Sequence, residues 1–479
     1  MSDPISTTIK APPSPNASPS EKKAKNLRVA VGITLFSVLT GIVVAQFQST
    51  QLASVAALTV FCIGLWATVV VPEYWTALSF FLIAIVFNIA PASVALSGFQ
   101  SSTFWLLFAG LVLGAAFKHT GLGKRIAHLL ASALGTRYNT IIWRIVIFGI
   151  ALAFIMPSSM GRIALLLPII MALSEQMGYQ SDSKGRIGMI TATAFGTWLP
   201  AFTILPANAP NMILVGMAEN LHGLQLSYWD YLLIHFPVLG ALKGVVLVLL
   251  ILKMFPSDDP KHTTKETASL PAVTKDEKTL AYIILGCLAM WLTDGIHHIS
   301  PGWIGLAGAV ICLCPFLNLT TKTSFQADLN YNSLFFVAGI IGLGAVIAQS
   351  GLGETLIAAL GDSVQFSPQE QLQSIVSLTF ISTIVAITTS LPGVPAVMTP
   401  IAGDLALSTG LPIATVLMTQ VFAFSNILLP YQAPPLVTAI QMGKLPIAAI
   451  SKLCLVLFFI TVVVLLPLDL LWWRLIGLF

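Results

Sequence analysis

Apolar stretches long enough to cross a membrane recur along this sequence from Val29 to the C-terminus. A membrane-spanning helix needs about 20 mostly apolar residues. Of the 479 residues, 56% are hydrophobic and only 9% are charged. Because a soluble protein usually carries about a quarter charged residues, this composition cannot cover a water-exposed surface. We predict a chain that is embedded in the membrane several times and has no large soluble domain.

Turn residues and charges divide the apolar sequence into segments of helical length. We predict an all-α polytopic membrane protein with eleven spans, near residues 28–46, 52–71, 74–90, 103–117, 186–218, 230–252, 279–297, 301–318, 332–349, 411–440 and 447–473. Two further apolar segments, 141–175 and 371–408, are interrupted in their middles by Pro, Ser and Gly. Such interruptions are typical of re-entrant hairpins, whose chain enters and leaves the membrane on one side.

The predicted loops differ in charge between the two sides of the membrane. Lys and Arg near span ends concentrate on the cytoplasmic side. With a cytoplasmic N-terminus, the loop cations from Lys118 to Lys452 fall inside and Arg474 falls outside. We therefore expect a protein of the inner (plasma) membrane with a cytoplasmic N-terminus and with its C-terminus on the opposite side. A full crossing by either hairpin would destroy this sorting.

Composition also divides the chain into domains. Residues 1–27 are rich in Pro, Ser and Lys and are predicted to be a disordered cytoplasmic tail. Residues 28–254 hold the first span and a first repeat, and residues 278–479 hold a second repeat, each repeat with one hairpin. The charged, Pro-bounded segment 255–277 between them is predicted to be a cytoplasmic linker.

Matched segments indicate that the two repeats arose by duplication. Three pairs follow one another in the same order: Gly-Leu-Gly at 121–123 and 351–353, the hairpins around Ser158 and Ser390, and LPANAPN at 205–211 with LPYQAPP at 429–435. An odd number of predicted crossings separates the copies, which predicts inverted topologies. Inverted repeats with paired broken helices are typical of secondary transporters whose site lies near the membrane midplane.

These hairpins and broken helices resemble those of the divalent anion:sodium symporter family. The resemblance is carried by MPSSMGRIALLLPI (156–169), LPANAPNMILVG (205–216), TSLPGVPAVMTPI (389–401) and LPYQAPPLV (429–437). It extends over nearly the whole chain after the first span. The resemblance implies a homodimer whose mobile transport domain moves elevator-fashion and whose anion lies between two hairpin tips.

The resemblance also implies which residues form the site. The substrate-binding positions are Ser158, Ser159, Arg162, Asn208, Ser390 and Gln432, and the positions for a coupling sodium ion are Ser158, Ser159, Ala207, Asn211, Ser390 and Tyr431. The tips depart from the family's Ser-Asn-Thr pattern, because only the leading serine is present in both. Asn208 and Gln432, 224 residues apart, stand where the family usually has Thr or Ser. These departures predict a different ligand chemistry.

Broken helices suit an anion because their free N-terminal amides and positive dipole ends point into the gap. Arg162 follows the first tip and has no carboxylate in the matched motifs to neutralise it. We predict that its guanidinium takes the place of one bound sodium ion. The alternative is a cation that extends to the cytoplasmic mouth. Lys243 and Asp404 lie in other apolar segments and are left out of the core site.

We predict a secondary active transporter of small anions, with di- or tricarboxylates first, that works by alternating access and is not an enzyme. The sequence has no HExxH or GxSxG motif. The expected partners are the anion, the lipid bilayer and a second copy of the chain, with no nucleic acid. No cofactor or metal is expected other than a possible sodium ion. The alternatives are a symporter of sulfate or another inorganic oxyanion, an ion antiporter and a passive anion channel.

Overall fold

The structure of the protein is a computed structural model that describes residues 19–156, 158–260, 272–355, 366, 368–389 and 391–479. All regular secondary structure in these residues is helical. The predicted all-α class is therefore confirmed.

The N-terminal half contains twelve α-helices within the described ranges. They are α1 (Pro19–Phe47), α2 (Thr50–Thr68), α3 (Glu73–Val86), α4 (Ala92–Ala95), α5 (Ser102–Thr120), α6 (Leu122–Ala133), α7 (Tyr138–Ile155), α8 (Ser159–Gln176), α9 (Lys184–Trp198), α10 (Ala209–His222), α11 (Tyr228–His235) and α12 (Lys243–Met254). Short 3₁₀ turns lie at Ser97–Gln100, Pro200–Thr203 and Leu205–Ala207, and a π-helical segment, Phe236–Leu242, joins α11 to α12.

The C-terminal half repeats much of this order. Its α-helices, where the structure describes the chain, are α13 (Lys275–Leu292), α14 (Asp294–His297), α15 (Pro301–Cys312), α16 (Lys322–Ala327), α17 (Tyr331–Ser350), α18 (Gln371–Thr388), α19 (Gly393–Met398), α20 (Ala402–Thr409), α21 (Ile413–Phe424), α22 (Pro434–Gly443), α23 (Ile447–Ile460) and α24 (Leu466–Leu475). A 3₁₀ turn lies at Pro430–Gln432, and a π-helical segment, Thr461–Leu465, joins α23 to α24.

The helix lengths fit a polytopic membrane protein. Eight helices of the described chain are long and apolar enough to cross a membrane, or up to nine if α20 and α21, bent by 112°, form one span. This set includes α7 and α18, the first arms of the two predicted hairpins. Helices α3 and α15 are shorter than a full span. The count of eleven crossings and the re-entrance of the hairpins stay predictions.

The first helix begins earlier than the sequence led us to expect. Helix α1 starts at Pro19, so residues 19–27 are helical and not part of an irregular tail. Proline suits the first turn of a helix, and the Lys and Ala residues that follow are good helix formers. The rest of the predicted tail, residues 1–18, lies outside the described residues. Apolar side chains of α1 such as Leu35 and Phe36 are 65% and 62% exposed, as expected for a lipid-facing helix.

The two halves end their matched helices in the same way. Helix α5 ends at Gly121 with φ of 81°, and α17 ends at Gly351 with φ of 74°. Only glycine adopts this left-handed conformation without strain, which explains why the Gly-Leu-Gly motif recurs. The matched glycines therefore stop equivalent helices at equivalent places.

The two halves are packed together, because a helix of each half packs along a helix of the other. Helix α3 packs along α17, and α15 packs along α5. Glycines permit the close approach, since a Cβ atom at Gly342 or Gly302 would lie 2.1 Å from the carbonyl oxygen of Ala95 or Ser102. The two halves thus form one packed unit around the hairpins.

Candidate functional site

The predicted breaks in the spans at 186–218 and 411–440 are present. Helix α9 ends at Trp198 and α10 begins at Ala209, while α21 ends at Phe424 and α22 begins at Pro434. Prolines such as Pro206 and Pro430 lie within these gaps, and they lack the N–H group that a continuing helix needs. We call residues 199–208 the first interruption and residues 425–433 the second interruption.

Each interruption lies against the other half of the protein. Helix α10, which follows the first interruption, packs on α19 behind the second hairpin tip. Helix α22, which follows the second interruption, packs on α8 and α9 of the first half. The helix that follows each interruption therefore packs on helices of the opposite half.

Ser158 caps the first hairpin tip, between α7 and α8. Its Oγ accepts a hydrogen bond from the N–H group of Gly161 at 3.1 Å, as an N-cap residue does. Ser158 also lines a cavity of about 350 Å³ together with Lys118, Lys124 and Asp328, and Lys118 is paired with Asp328. Ser158 thus stands between a helix N-terminus and a space that is large enough for a small anion.

Ser159 and Asn208 join this tip to the first interruption. Their side chains contact each other, and they are 8% and 5% exposed. With the Asn208 amide oriented so that both of its ends are satisfied, its nitrogen donates to the Ala207 carbonyl at 3.1 Å and its oxygen accepts from the Phe202 N–H group at 3.2 Å. The two predicted binding residues therefore hold the tip and the interruption in one fixed arrangement.

Arg162 is the central cation of the first half, and none of its side chain is exposed. Its donors meet four oxygens: Nε bonds the Thr197 carbonyl at 2.8 Å, Nη2 bonds the Ser159 hydroxyl at 3.0 Å and the Ala207 carbonyl at 3.3 Å, and Nη1 bonds the Met156 carbonyl. Among the ion pairs of the described residues, none includes Arg162. The alternative of a cation that extends to the mouth is wrong, because the guanidinium is enclosed by neutral oxygens.

The second hairpin tip is described only in part. Ser390, predicted as a substrate and ion ligand, lies outside the described residues, whereas the neighbouring Leu391 is buried. Beyond the tip, Gly393 and Thr389 line a space of about 10 Å³ that Trp66 helps to close. This part of the second tip faces packed apolar side chains and not an open cavity.

Gln432 stabilises the second interruption as Asn208 stabilises the first. Its Oε1 accepts hydrogen bonds from the N–H groups of Leu428 and Leu429, both at 2.8 Å, and its Nε2 donates to the Ala386 carbonyl of α18 at 2.9 Å. The side chain is 2% exposed. The predicted pair of amides therefore has a matched role, which is to tie each interruption to its own hairpin.

The remaining predicted ion ligands have three different surroundings. The Ala207 carbonyl accepts from Arg162, while Tyr431 is 57% exposed and donates its hydroxyl to the Ile387 carbonyl at 3.0 Å. Asn211 is fully buried, and its amide nitrogen bonds the Ala201 and Ile204 carbonyls at 3.2 and 2.9 Å. Its Oδ1 has no hydrogen-bond partner. Asn211 is therefore the one of these three that presents an unused oxygen.

Lys243 and Asp469 are two of the buried charged residues outside the predicted site. Lys243 donates from Nζ to the Ser425 carbonyl, at the start of the second interruption, at 2.8 Å. Asp469 lies on α24 and is buried as deeply as Lys243, each being 1% exposed. The signal in the sequence was a lone charge inside an apolar run, and only Lys243 was noted there. The sequence could not predict the carbonyl partner of Lys243, because every residue has a backbone carbonyl.

Paired interrupted helices, in a described chain that is all-helical and has several membrane-length helices, are typical of polytopic membrane proteins of the secondary transporter class. The sequence profile described as the sodium:sulfate symporter transmembrane region matches residues 23–479. The chain belongs to this family, which confirms the predicted resemblance. It is accordingly an integral membrane transporter of sulfate- or dicarboxylate-type anions, and not an enzyme.

Several described proteins are similar in sequence to this chain over most of its length. A membrane protein of Cupriavidus necator is 27% identical to it over 71% of this chain and 68% of the relative. L-tartrate/succinate antiporters of Shigella sonnei and of Escherichia coli (strain K12) are 27% and 26% identical, over 81% of each chain. The family's named coupling ion, sodium, agrees with the expectation of a possible sodium ion and no organic cofactor.

Proposed function

We propose that the protein exchanges small di- or tricarboxylate anions across the membrane by alternating access, with the anion bound between the two hairpin tips. Relatives that cover most of the chain are described as L-tartrate/succinate antiporters, so dicarboxylates of that size are the first candidates. The cavity beside Ser158 has room for such an anion, and Lys124 at its lining attracts negative charge, whereas Lys118 at the same lining is paired with Asp328.

The observation that carries this proposal is the set of oxygens around Arg162. Three backbone carbonyls and one serine hydroxyl converge on its guanidinium. Oxygens of these kinds are also the ligands of hard cations. Arg162 therefore supplies, as a fixed part of the protein, the positive charge that a sodium ion would bring. A carrier with this charge built in can exchange one anion for another without a coupling cation.

The roles of the other first-half residues follow from their contacts. Ser158 and the N-terminal amides of α8 lie at the cavity and donate to the anion, since a helix N-terminus carries partial positive charge. Ser159, Asn208 and Ala207 hold Arg162 behind this N-terminus. Asn211 offers its free oxygen to a cation if one binds. At the second tip, Ser390 and Gln432 stay in the proposal as the matching donors.

A second candidate function is symport of sulfate or another inorganic oxyanion on the same scaffold. The description of the matched family favours this second function, because the description names sodium and sulfate. The contrast with the leading proposal is chemical: an exchanger of carboxylates accepts a carbon skeleton and is driven by the counter-anion, whereas a sulfate symporter is driven by a sodium gradient.

Purified protein in liposomes loaded with succinate tests the leading proposal. External labelled tartrate or succinate should enter only when a dicarboxylate is present inside, because exchange needs a counter-anion on each cycle. Liposomes loaded with sulfate and empty liposomes under an inward sodium gradient are the matched controls. Uptake into empty liposomes that follows the sodium gradient would favour the symporter, and uptake that does not saturate would favour a channel.

Orientation is part of the same proposal. We infer that the N-terminus and the loop after the first hairpin face the cytoplasm and that the start of the second hairpin faces outside. Cysteines placed at the exposed positions Ser181 and Glu370 should then react with a membrane-impermeant reagent from opposite faces. Reaction of both from one face would contradict the inverted repeats. The elevator motion and the homodimer are proposed on the family resemblance, and cross-linking of the purified transporter tests the dimer.

A further inference from the structure

A second cavity of about 350 Å³ lies at the opposite end of α5 from the cavity beside Ser158. Ser102 in the first turn of α5 lines the second cavity, whereas Lys118 in the last turn lines the first. At about 1.5 Å per residue, these two positions are roughly 24 Å apart along the helix, which approaches the thickness of a membrane core. The two cavities share no described lining residue, and we call the second one the distal cavity.

Three carboxylates line the distal cavity, and each comes from a different helix. Glu219 lies in the last turn of α10, Asp230 in the first turn of α11 and Asp294 at the start of α14. The ion pairs of the described residues include none of these three. His298 is the one base among the described lining residues. The distal cavity is therefore acidic, in contrast to the cavity beside Ser158, which has lysines at its lining.

Asp294 has an unused hydrogen-bonding oxygen at this cavity. The residue is 4% exposed, and its Oδ2 accepts a hydrogen bond from the Tyr228 N–H group at the start of α11. Its Oδ1 has no hydrogen-bond partner among the described residues. Capping of α11 therefore accounts for one oxygen and leaves the other without a donor. Because a buried carboxylate oxygen without a donor is costly, a ligand that brings an N–H group gains free energy at this place.

The other two carboxylates have neutral surroundings. Glu219 is half-buried, and its Oε2 accepts a hydrogen bond from the Ser102 hydroxyl. Asp230 is exposed, and its backbone N–H group, not its carboxylate, bonds the Ser227 hydroxyl. Like charges that share one cavity repel each other, and a cation between them removes that repulsion. The distal cavity therefore favours a positively charged ligand.

The spacing of the carboxylates decides which kind of cation fits. Within the described chain, no group of three or more His, Cys, Asp or Glu side chains is placed to hold a metal ion. One small ion therefore cannot contact all three carboxylates, whereas a flexible chain with several ammonium groups can. Each ammonium group supplies three N–H donors. Leu106, Leu205 and Val215 of the same lining offer apolar contacts to the methylene groups between the charges.

We propose that the distal cavity is a binding site for aliphatic diamines and polyamines. One ammonium group binds the unused oxygen of Asp294, and a second lies between Glu219 and Asp230. The site is separate from the anion site, and the inference does not rest on the proposed exchange function. Because the two cavities lie at opposite ends of a membrane-length helix, the amine enters from the membrane face opposite to Lys118.

Isothermal titration of the full-length protein with 1,4-diaminobutane tests the site directly. At about pH 8, free aliphatic amines are protonated, free carboxylic acids are ionised and free imidazole is neutral. The diamine should bind saturably. The monoamine 1-aminobutane has the same carbon chain with one charge, and it should bind at least about tenfold more weakly because it loses a charge-assisted hydrogen bond. Magnesium chloride should also bind more weakly than the diamine, since no three carboxylates can surround the ion.

Substitutions that remove one charge locate the bound amine. Asp294→Asn keeps an oxygen for the Tyr228 N–H group and should weaken diamine binding about tenfold or more. Asp230→Asn, at an exposed position, should weaken it about threefold. Asp182→Asn is the matched control, because it removes an exposed carboxylate outside the cavity and should bind the diamine as wild type does. If Asp294→Asn fails to fold, Glu219→Gln replaces it in the comparison.

Each outcome decides the proposal. A wild-type protein that binds no diamine saturably, or that binds 1-aminobutane equally well, would overturn it. Wild-type affinity in both cavity variants would place the amine elsewhere, and tighter binding of magnesium than of the diamine would show a metal site instead. Succinate exchange is measured separately, so its absence would contradict the exchange function alone, and absence of amine binding would contradict the distal site alone.

Discussion

The two interruptions use buried cations in different ways. In the first, Arg162 bonds the Thr197 carbonyl near the end of α9, and no carboxylate of the described chain pairs with it. In the second, Lys243 bonds the Ser425 carbonyl at the end of α21. The cation at the first interruption therefore comes from the hairpin helix α8, whereas the cation at the second comes from α12, outside both hairpins.

The two tips also differ in access. The first tip lines a cavity of about 350 Å³, whereas the described part of the second tip lines a space of about 10 Å³. The described parts of the two tips therefore line spaces of different size, although their sequences are matched.

The largest expected effect comes from removing the charge of the first interruption. Arg162→Gln should lower exchange about a hundredfold or more, because it removes the cation and leaves buried carbonyls without donors, at roughly 1–3 kcal/mol for each. Sodium should then raise both the exchange rate and the melting temperature of the variant, since a bound ion stabilises by mass action. Arg162→Lys should retain part of the activity.

Arg144→Gln is the matched control for this prediction. Arg144 is exposed on α7, where it bonds the Ala133 carbonyl, and it contacts neither tip. Its substitution should leave exchange and ion dependence as in wild type. If Arg162→Gln kept wild-type affinity and ion dependence, the first interruption would not owe its function to a fixed cation.

A smaller effect is expected at the second interruption. Gln432→Leu leaves the N–H groups of Leu428 and Leu429 unsatisfied, which should cost roughly 1–3 kcal/mol for each and lower exchange about tenfold. Transport assays and thermal unfolding of the variant measure the two effects. Gln371→Leu, at an exposed position of α18, is the control. A loss as large as that of Arg162→Gln would remove the proposed difference between the halves.

The comparison of the two halves also shows which features of the fold can be predicted from the sequence. The all-helical class, the matched glycines at 121 and 351 and the breaks at Pro206 and Pro430 followed from local rules of backbone geometry, and they are present in the structure. The function class followed from the family likeness. These features depend on residues that are close in sequence or on a long, recognisable pattern.

The arrangement of the site followed less well from the sequence. The burial of Arg162 among carbonyls depends on how α8 meets the first interruption, and carbonyl groups have no signature in the sequence. The hydrogen bond from Lys243 to the Ser425 carbonyl joins residues that are 182 positions apart in the chain. The early start of α1 at Pro19 shows the opposite error, since composition alone suggested an irregular tail where local helix propensity prevails.

The smallest effect on stability is expected from the first tip's hydroxyl. Ser158→Ala removes one cap and one donor to the anion, so affinity should fall roughly tenfold while the protein stays folded, because a cap contributes only about 1 kcal/mol. Isothermal titration with succinate measures the affinity. Ser158→Thr retains the hydroxyl and should recover most of it. Equal affinity for the alanine variant would place the anion away from the cavity.

The most direct test of the central claim, that Arg162 replaces a coupling sodium ion, is the sodium dependence of exchange by the wild-type protein. Succinate exchange in liposomes should proceed at the same rate with sodium, potassium or choline as the only cation, and an imposed sodium gradient should drive no net accumulation. An exchange rate that requires sodium, or accumulation of succinate that follows the sodium gradient, would contradict the account.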